Sequence, residues 1–560
     1  MANEEGVGHP GVVQERGLMV YNFRTMRWSC GVLYAVGLLM MAYGCSSEHY
    51  KAEADKEVYS VIDSKWQGSF GQKANYMISD LAPSPNDIRI ERVVPKSGVM
   101  SLAQVVAMAT AHNRDYQGQK EQLYLTALDL TLERHQFARQ WFGTFDARYV
   151  RSPGENTGGD DNEEKLSYDA GLGFEQMLAD GAEIGVGIAL DWARFLTGDP
   201  RTTLSSVLTA RVVQPLLRGS GRKIAQENLT QAERRALYQI RAFNRFRKTF
   251  VVSIVTDYYR ILQQKDGVTN ALNNYERRVE SRKRLEMEAD AGRTPRFQVD
   301  QAEQRELDAR DLYVRSQQRY QQLLDEFKIR LSLATEAKLE LDENELKALE
   351  NVGVSTPDYT LHTAIDTALL QRLDLANSRD QIDDAMRKAV VAADSLGAEL
   401  NLVGSASVGS TEKTDFTRLE FHRGNYALGF ESDLPLDRKA ERNAYREALI
   451  ALEQREREYE NDMDEVKLEV RQAHRELEEA AERYRIQNNS LELAKKRVES
   501  TTILLEAGRL STRDLLESQD ALLRAQDDVT AALVDHAIAK LNFFRDVGIL
   551  QVRPDGMWEQ

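Results

Sequence analysis

The sequence has 560 residues and a formal net charge of −16, with 29% charged and 42% hydrophobic residues. The acidic excess argues against a nucleic-acid partner, because phosphate binding requires clustered Lys and Arg. Here the basic residues are interleaved with Glu and Asp, as is typical of solvated helix faces. The length exceeds that of one ordinary globular domain.

The first 44 residues are predicted to be a secretory signal peptide. Two arginines precede an apolar run over about residues 31–43, which is too short to span a membrane as a helix. Met19 and Met26 are alternative translation starts, because residues 1–18 look unlike any signal. The sequence therefore predicts an exported protein.

Cys45 follows the signal peptide and is predicted to be a lipidation site. The residues before it, Ala42-Tyr43-Gly44, resemble a bacterial lipoprotein signal, although leucine is usual where Ala42 stands. The other interpretation is an ordinary signal peptide with an incidental cysteine. The second cysteine, Cys30, lies within the signal, so no disulfide framework is possible in the body of the protein.

The body of the chain is predicted to contain two copies of one structural unit, residues 101–351 and residues 352–546. Each copy opens with a helix of about 40 residues, which starts at Leu102 in the first copy and at Leu361 in the second. The remaining segments are a polar N-terminal linker and a short C-terminal tail, residues 45–100 and 547–560.

After the opening helix of each copy, the hydrophobic period changes from seven to two, which predicts strands. They lie at about residues 144–214, with three candidates, and 399–434, with two. Alternation rich in glycine and aromatic residues fits a membrane β-barrel, and a soluble sheet on the helical body is the other interpretation. Each region ends at a proline, Pro215 or Pro435, at the junction from strand to helix.

A long helix follows each strand region, and the second is predicted from about Asp437 to Ala507. At 1.5 Å per residue it would span about 105 Å. Its apolar residues recur seven apart, which predicts a supercoiled helix seam. These residues are Met463, Val470, Leu477, Tyr484, Leu491, Val498 and Leu505.

Both long helices end in the same turn, Ala291-Gly292-Arg293 in the first copy and Ala507-Gly508-Arg509 in the second. Glycine after a long helix predicts a left-handed C-cap, and an amphipathic return helix follows each time. Hairpin tips are therefore predicted at about residues 291–296 and 507–512.

The strand count also predicts that the chain associates with copies of itself. Two or three strands per copy cannot close a barrel, and open strand edges are not tolerated in lipid. The heptad seams of the helices are likewise expected to need partner chains.

The strands of the first copy end in the motif Gln214-Pro215-Leu216-Leu217-Arg218-Gly219. Together with the duplicated layout and the paired glycine tips, this motif resembles the TolC-type outer-membrane efflux factor family over about residues 100–546. The resemblance implies a mainly α homotrimer with membrane β-structure: a twelve-stranded barrel in the outer membrane, continued into the periplasm by an α-helical coiled-coil tunnel. The implied function is a passive export duct for tripartite efflux or type I secretion. The implied partners are a periplasmic adaptor protein and an inner-membrane RND or ABC pump.

The resemblance also assigns roles to residues near the hairpin tips. Asp514 and Glu517 match acidic positions of a periplasmic gate, and Gln298 stands where the first return helix often has an acid. The other interpretation of the two acids is that they favour the positive end of the helix dipole. Leu510 stands where a gate-holding arginine occurs in the best-known member. The predicted adaptor-docking residues are Gly292, Arg293, Gly508 and Arg509.

No catalytic constellation is recognisable in the sequence. The eight histidines are scattered, and no phosphate-binding loop or nucleophile motif is present. His474 and His536 are interpreted as structural residues, and no metal or cofactor is expected. The chain is predicted not to be an enzyme, and the alternative to a duct is a structural coiled-coil lipoprotein bridging outer membrane and periplasm without channel activity.

Overall fold

The computed structural model describes most of the chain beyond the predicted signal peptide. The chain forms two compact units, residues 1–57 and 58–560, and the described part of the first is the exposed start of helix α1 (Ser47–Lys65). Cys45, Pro435 and Gly508 lie outside the described residues. The described ranges are 46–73, 76–78, 98–153, 162–196, 202–355, 359–410, 417–434, 436–507, 509–553 and 557–559.

Helices dominate the second unit and repeat in the same order along the chain. The first series comprises α2 (Leu102–His112), α3 (Arg114–His135), the short α4 (Arg222–Ala225), α5 (Glu227–Asp290), α6 (Arg296–Arg330) and α7 (Asn344–Val352). The second series comprises α8 (Leu361–Gln371), α9 (Leu373–Asp394), α10 (Lys439–Glu506) and α11 (Thr512–Val547). No helix in the described ranges combines the length and the apolar character needed to cross a membrane.

The opening helix of each copy is two helices, which corrects the prediction of a single one of about 40 residues. Asn113 leaves helical geometry with ψ 132°, and its side chain accepts a hydrogen bond from the Tyr116 amide. An asparagine in this geometry caps a new helix and so ends the previous one. Arg372 occupies the equivalent break in the second copy, with ψ 121°.

A six-stranded antiparallel sheet is the main β-structure, with four strands from the first copy and two from the second. They are β2 (Gln140–Pro153), β3 (Asn162–Met177), β4 (Glu183–Phe195), β5 (Thr202–Pro215), β7 (Glu399–Gly409) and β8 (Asn425–Asp433). Their order in the sheet is β2-β3-β4-β5-β7-β8. Two small pairs lie elsewhere: β1 (Val99–Met100) with β6 (Glu340–Leu341), and β9 (Gln551–Val552) with β10 (Trp558–Glu559).

The first copy thus has one strand more than the sequence predicts, and the extra strand is β2. Its aromatic residues Trp141, Phe145 and Tyr149 are spaced four apart, which also suits one face of a helix. The strand period was hidden because Gly143 and Ala147 occupy the positions between them. A trimeric barrel of twelve strands takes four strands from each chain, whereas this sheet has six.

The predicted heptad helix is confirmed as α10, and the middle of its seam is covered within the chain. Val470 and Leu477 are buried in a core with residues of α8, α9 and α11, including Ala364, Leu375 and Phe543. The other five seam residues are half-buried. The chain itself therefore covers the middle of this seam and leaves the rest partly exposed, so the expectation that the seam needs a partner chain stays a prediction.

A larger core surrounds α5 and joins it to α2, α3 and α6. Aromatic side chains fill it, as where Tyr116 of α3 lies 5.2 Å from Phe250 of α5, measured between ring centroids. Phe243 and Tyr258 of α5 are fully buried. The first copy therefore supplies the interior against which the later helices pack.

Candidate functional site

The first hairpin tip closes with the backbone geometry that its glycine predicts. Gly292 has φ +71°, and the Arg293 amide donates to the Glu288 carbonyl at 2.9 Å. This bond satisfies a carbonyl that the end of α5 would otherwise leave unpaired. Pro295 then precedes the first residue of α6. Gly292 and Arg293 are both exposed.

The second tip repeats the same closing hydrogen bond. The Arg509 amide donates to the Leu504 carbonyl at 2.9 Å, over the same spacing of five residues as in the first tip. Arg509 is exposed. The two tips are thus equivalent in hydrogen bonding, although Gly508 lies outside the described residues.

Asp514 forms a capping box at the start of α11. The Ser511 hydroxyl accepts from the Asp514 amide, and the Asp514 carboxylate accepts from the Ser511 amide at 3.0 Å. Hydrogen bonds from Ser511 lower the pKa of Asp514, so the carboxylate is charged at neutral pH. The acid therefore stabilises the helix start, and its side chain is half-buried there.

Glu517 lies one turn further along α11 and pairs with Arg497 of α10 at 3.8 Å, with both side chains exposed. Gln298 is half-buried in the first turn of α6, where its amide donates to the Pro295 carbonyl. Within the described residues, no hydrogen bond or ion pair joins Gln298 to Asp514 or Glu517. The structure thus places the two acids together and Gln298 at the other tip.

A buried cation that the sequence interpretation missed braces the start of α11. Arg278 of α5 has 2% side-chain exposure, pairs with Asp520 and donates to the Leu516 carbonyl at 3.0 Å. Burial lowers the pKa of Arg278, and the neighbouring Asp520 acts in the opposite direction. The burial of Arg278 could have been predicted from its spacing, because it lies seven residues from both Ala271 and Leu285 and so shares their buried face of α5.

Pro215 is the last residue of β5 and pairs with Asn401 of β7. The chain then turns, and Gly219 adopts φ +78° while its amide donates to the Asp394 carboxylate at 2.8 Å. Asp394 is the final residue of α9, so this bond fastens the exit of the sheet to the helical body. Pro435, the corresponding residue in the second copy, lies outside the described residues.

The sheet has one apolar and one polar face, which follow from its register. The pairs Trp141–Phe174, Leu172–Ile188 and Leu208–Val408 place apolar side chains on the same face across five strands. The neighbouring positions along each strand carry glycine, serine and charged residues. Those on β2 and β3 include Asp146, Arg148, Lys165, Ser167 and Asp169.

Residues of the polar face line most of an open cavity of about 740 Å³. Its lining includes Glu175, Thr209 and Arg211. Glycine is required at one close approach, because a Cβ atom on Gly173 would lie 2.7 Å from the backbone carbonyl oxygen of Val186. The arrangement fits a wall with water inside and an apolar medium outside.

The two singled-out histidines have structural surroundings. His474 packs edge-on against Phe543 at 5.9 Å and lies 3.4 Å from Glu478. His536 is buried, and burial lowers its pKa, so the imidazole is neutral at neutral pH. In the described part of the chain, no cluster of His, Cys, Asp and Glu side chains could hold a metal ion.

Comparisons with known proteins relate this geometry to outer-membrane channels. Residues 364–544 match the family described as outer membrane efflux protein. No curated protein matches the chain. One similar solved structure is the outer-membrane channel OprN, with 15% identity and a TM-score of 0.57, where the match covers 85% of this chain and 96% of that one. A second is the Campylobacter jejuni CmeC outer membrane channel, with 14% identity, a TM-score of 0.56 and coverage of 86% and 91%. A third is the open state of the Neisseria gonorrhoeae MtrE outer membrane channel, with 13% identity, a TM-score of 0.57 and coverage of 81% and 90%. At these identities the likeness concerns the fold.

Proposed function

With an outer membrane efflux protein domain over residues 364–544 and the fold of solved outer-membrane channels, we propose that three copies of this chain form a passive export duct through the outer membrane. The match to the outer membrane efflux protein family over residues 364–544 supports the predicted efflux family and the outer-membrane location. The observation that carries the proposal is the sheet, which has an apolar face, a polar face and two open edges.

The open edges support a barrel shared between chains. Among the described residues, β2 and β8 are the outermost strands of the sheet, and each has one row of backbone N–H and C=O groups that pairs with no other strand of the sheet. Lipid cannot satisfy such groups, so a sheet in the bilayer must close on itself or on copies of itself. In the closed form the apolar face meets lipid and the polar face lines a pore.

The helices support a tunnel that continues the barrel into the periplasm. α10 has 68 residues, which corresponds to about 100 Å of helix. α5 and α10 both lead away from the sheet and end at exposed hairpin tips. The tips, with Gly292, Arg293, Gly508 and Arg509, are the proposed docking site of a periplasmic adaptor that connects the duct to an inner-membrane RND or ABC pump. The duct itself performs no catalysis in this proposal, and lipidation of Cys45 stays a prediction.

Asp514 and Glu517 are the proposed gate residues, with Gln298 on the first return helix. They lie three apart on α11, so three chains would present two acidic rings at the narrow end of the tunnel. The double substitution Asp514→Ala with Glu517→Ala is expected to raise leak conductance. Ser511→Ala is the matched control, because it removes a capping partner of Asp514 and leaves both acidic charges in place. Equal leak in the two variants would assign the effect to the cap.

Conductance in planar bilayers tests the duct itself. Purified oligomer is expected to form channels that the acidic double substitution opens further. If neither protein conducts, the chain is better described as a structural lipoprotein bridging outer membrane and periplasm. Loss of export in cells lacking the chain, restored by the intact gene, gives an independent readout.

A further inference from the structure

The outer edge of β2 fits the outer edge of β8 in a second copy of this chain. Granting the proposed channel, on which this step rests, we propose that β2 of each chain pairs with β8 of the next. Three copies of a six-stranded sheet then close a barrel of eighteen strands, not the twelve that the family resemblance implies. The β2–β3 hairpin is an integral part of the wall.

The hairpin is long enough to cross the bilayer. A membrane strand needs about 9–11 residues. β2 has 14 residues and β3 has 16, whereas β7 has 11 and β8 has 9. The added strands therefore meet the length requirement at least as well as the strands from the second copy.

The hairpin also continues the sheet without a break. The register between β2 and β3 runs unbroken from Gln140–Glu175 to Pro153–Asn162, and the β3–β4 register is equally regular. On the apolar face, Tyr168 lies 6.2 Å from Phe145 and 5.1 Å from Trp192, measured between ring centroids. These contacts join β2, β3 and β4 into one surface, so the hairpin is not a separate flap.

Strand direction and exposure make the two edges complementary. β2 follows helix α3 and leaves the helical body, whereas β8 leads back into α10, so the two edges meet in antiparallel orientation like every other pair in the sheet. Both edges leave large apolar side chains exposed on the same face. Trp141 is 65% exposed on β2, and Phe430 is 72% exposed on β8. In the closed barrel both side chains would face lipid, and pairing with a neighbouring chain would satisfy the edge backbone groups.

A barrel of eighteen strands changes what can pass. Barrel diameter grows roughly linearly with strand number, so the lumen would be about 1.5-fold wider than in a twelve-stranded barrel. The added strands bring side chains of both signs to the polar face, including Asp146, Arg148, Lys165 and Asp169. The barrel wall then selects little by the sign of the charge and admits bulkier cargo.

Cysteine cross-linking between chains tests the edge assignment. Thr144→Cys on the polar face of β2 is combined with a cysteine at Asn425, Ala427 or Gly429 on β8, which samples the unknown register. Oxidation of the membrane-embedded protein is expected to convert the monomer band into dimer and trimer bands. Ala189→Cys on β4 with the same β8 cysteines is the matched control and is expected to give no links. Each single-cysteine variant controls for the native cysteines.

Each outcome supports or overturns the pairing. Interchain β2–β8 links support it, together with a neutral-polymer exclusion radius about 1.5-fold that of a twelve-stranded relative. Links from β4 to β8 of the next chain, or no β2–β8 link in protein that conducts, overturn it and leave the channel proposal standing. Links within one chain show a sheet sealed by its own edges and overturn it too. Protein that neither conducts nor forms trimers removes the channel proposal, and this inference with it.

Discussion

The long helices α5 and α10 occupy equivalent places in the two copies, yet they differ in what surrounds them. α5 is enclosed by α3, α6, α9 and α11 and buries large aromatic residues between Phe243 and Tyr259. α10 contacts mainly α8, α9 and α11, and its buried residues are mostly alanine, valine and leucine. One copy is the interior of the chain, and the other forms its surface.

This difference teaches that a heptad pattern identifies a seam without identifying the partner. The middle of the α10 seam is covered by the chain itself, while a second set of apolar residues on the same helix stays exposed. Ile450, Leu468 and Ile486 follow one another at intervals of 18 residues, or five helical turns, and so share one face. That face is the surface available to a neighbouring chain.

The largest expected effect comes from removing an aromatic residue from the interior copy. Phe243→Ala on α5 deletes a fully buried ring and is expected to cost about 3–5 kcal/mol of unfolding free energy. Tyr459 occupies the equivalent position on α10, 216 residues later, and is half-buried, so Tyr459→Ala is expected to cost less than half as much. Urea unfolding of the two variants in detergent measures the contrast. Equal losses would contradict the division into interior and surface copies.

The next effect concerns Arg278, which has no arginine at the equivalent position of the second copy. Asp520→Ala removes the carboxylate that pairs with Arg278. The position on α10 that is equivalent to Arg278 is Ala494. Because Asp520 is itself 38% exposed, we expect a loss of about 2 kcal/mol, less than for a fully buried pair. Leak conductance should also rise, because Arg278 holds the first turns of α11.

Glu517→Ala serves as the control for the loss of stability, since its pair with Arg497 is exposed and is expected to contribute at most about 1 kcal/mol. A similar loss in the two variants would show that Arg278 is effectively solvated. Unchanged leak with a large loss of stability would confine Arg278 to a structural role.

The sequence was sufficient for features that are set locally. Helix ends at the two tips follow from glycine and its neighbours, and the run of α10 follows from its seven-residue period. Features set by tertiary packing were missed. β2 was missed because Trp141, Phe145 and Tyr149 fit a helical spacing. The role of Arg278 was missed because arginine usually lies at the surface, whereas here tertiary packing buries it and lets it hold the start of α11. The helix break at Asn113 depends on a cap that periodicity does not register.

The two copies are also expected to differ in how a buried charge makes the unfolding free energy depend on pH. Burial, aided by Arg245 and Arg247, lowers the pKa of Lys248 on α5 to about 8. Between about pH 8 and 10.5 the unfolded chain keeps a proton on this amine that the folded chain has lost, so stability rises with pH across that window. Lys248→Met is expected to flatten this rise, which is at most about 3 kcal/mol for a pKa lowered from 10.5 to about 8.

The equivalent position on α10 is Asp464, which is exposed and pairs with Lys467 at 2.8 Å. Lys467→Met on α10 is the control for the substitution itself. NMR titration of the Lys248 amine gives a direct check, and a value near 10.5 would contradict the burial of its charge.

The smallest effect on the single chain, and the sharpest test of the surface copy, is expected at Leu493. This residue continues the exposed apolar face of α10, seven positions after Ile486, and is 66% exposed. Leu493→Gln should change the unfolding free energy of the chain by less than about 0.5 kcal/mol, because exposed positions tolerate polar residues. Leu491→Gln, two positions earlier on the heptad seam, should cost more unfolding free energy, since it places an amide in a half-buried apolar contact.

If the exposed face meets a neighbouring chain, Leu493→Gln should weaken the trimer, measured by sedimentation in detergent, while Leu491→Gln should destabilise the fold of the single chain. A trimer unaffected by Leu493→Gln would leave this face in water and require another surface to join the helices of adjacent chains.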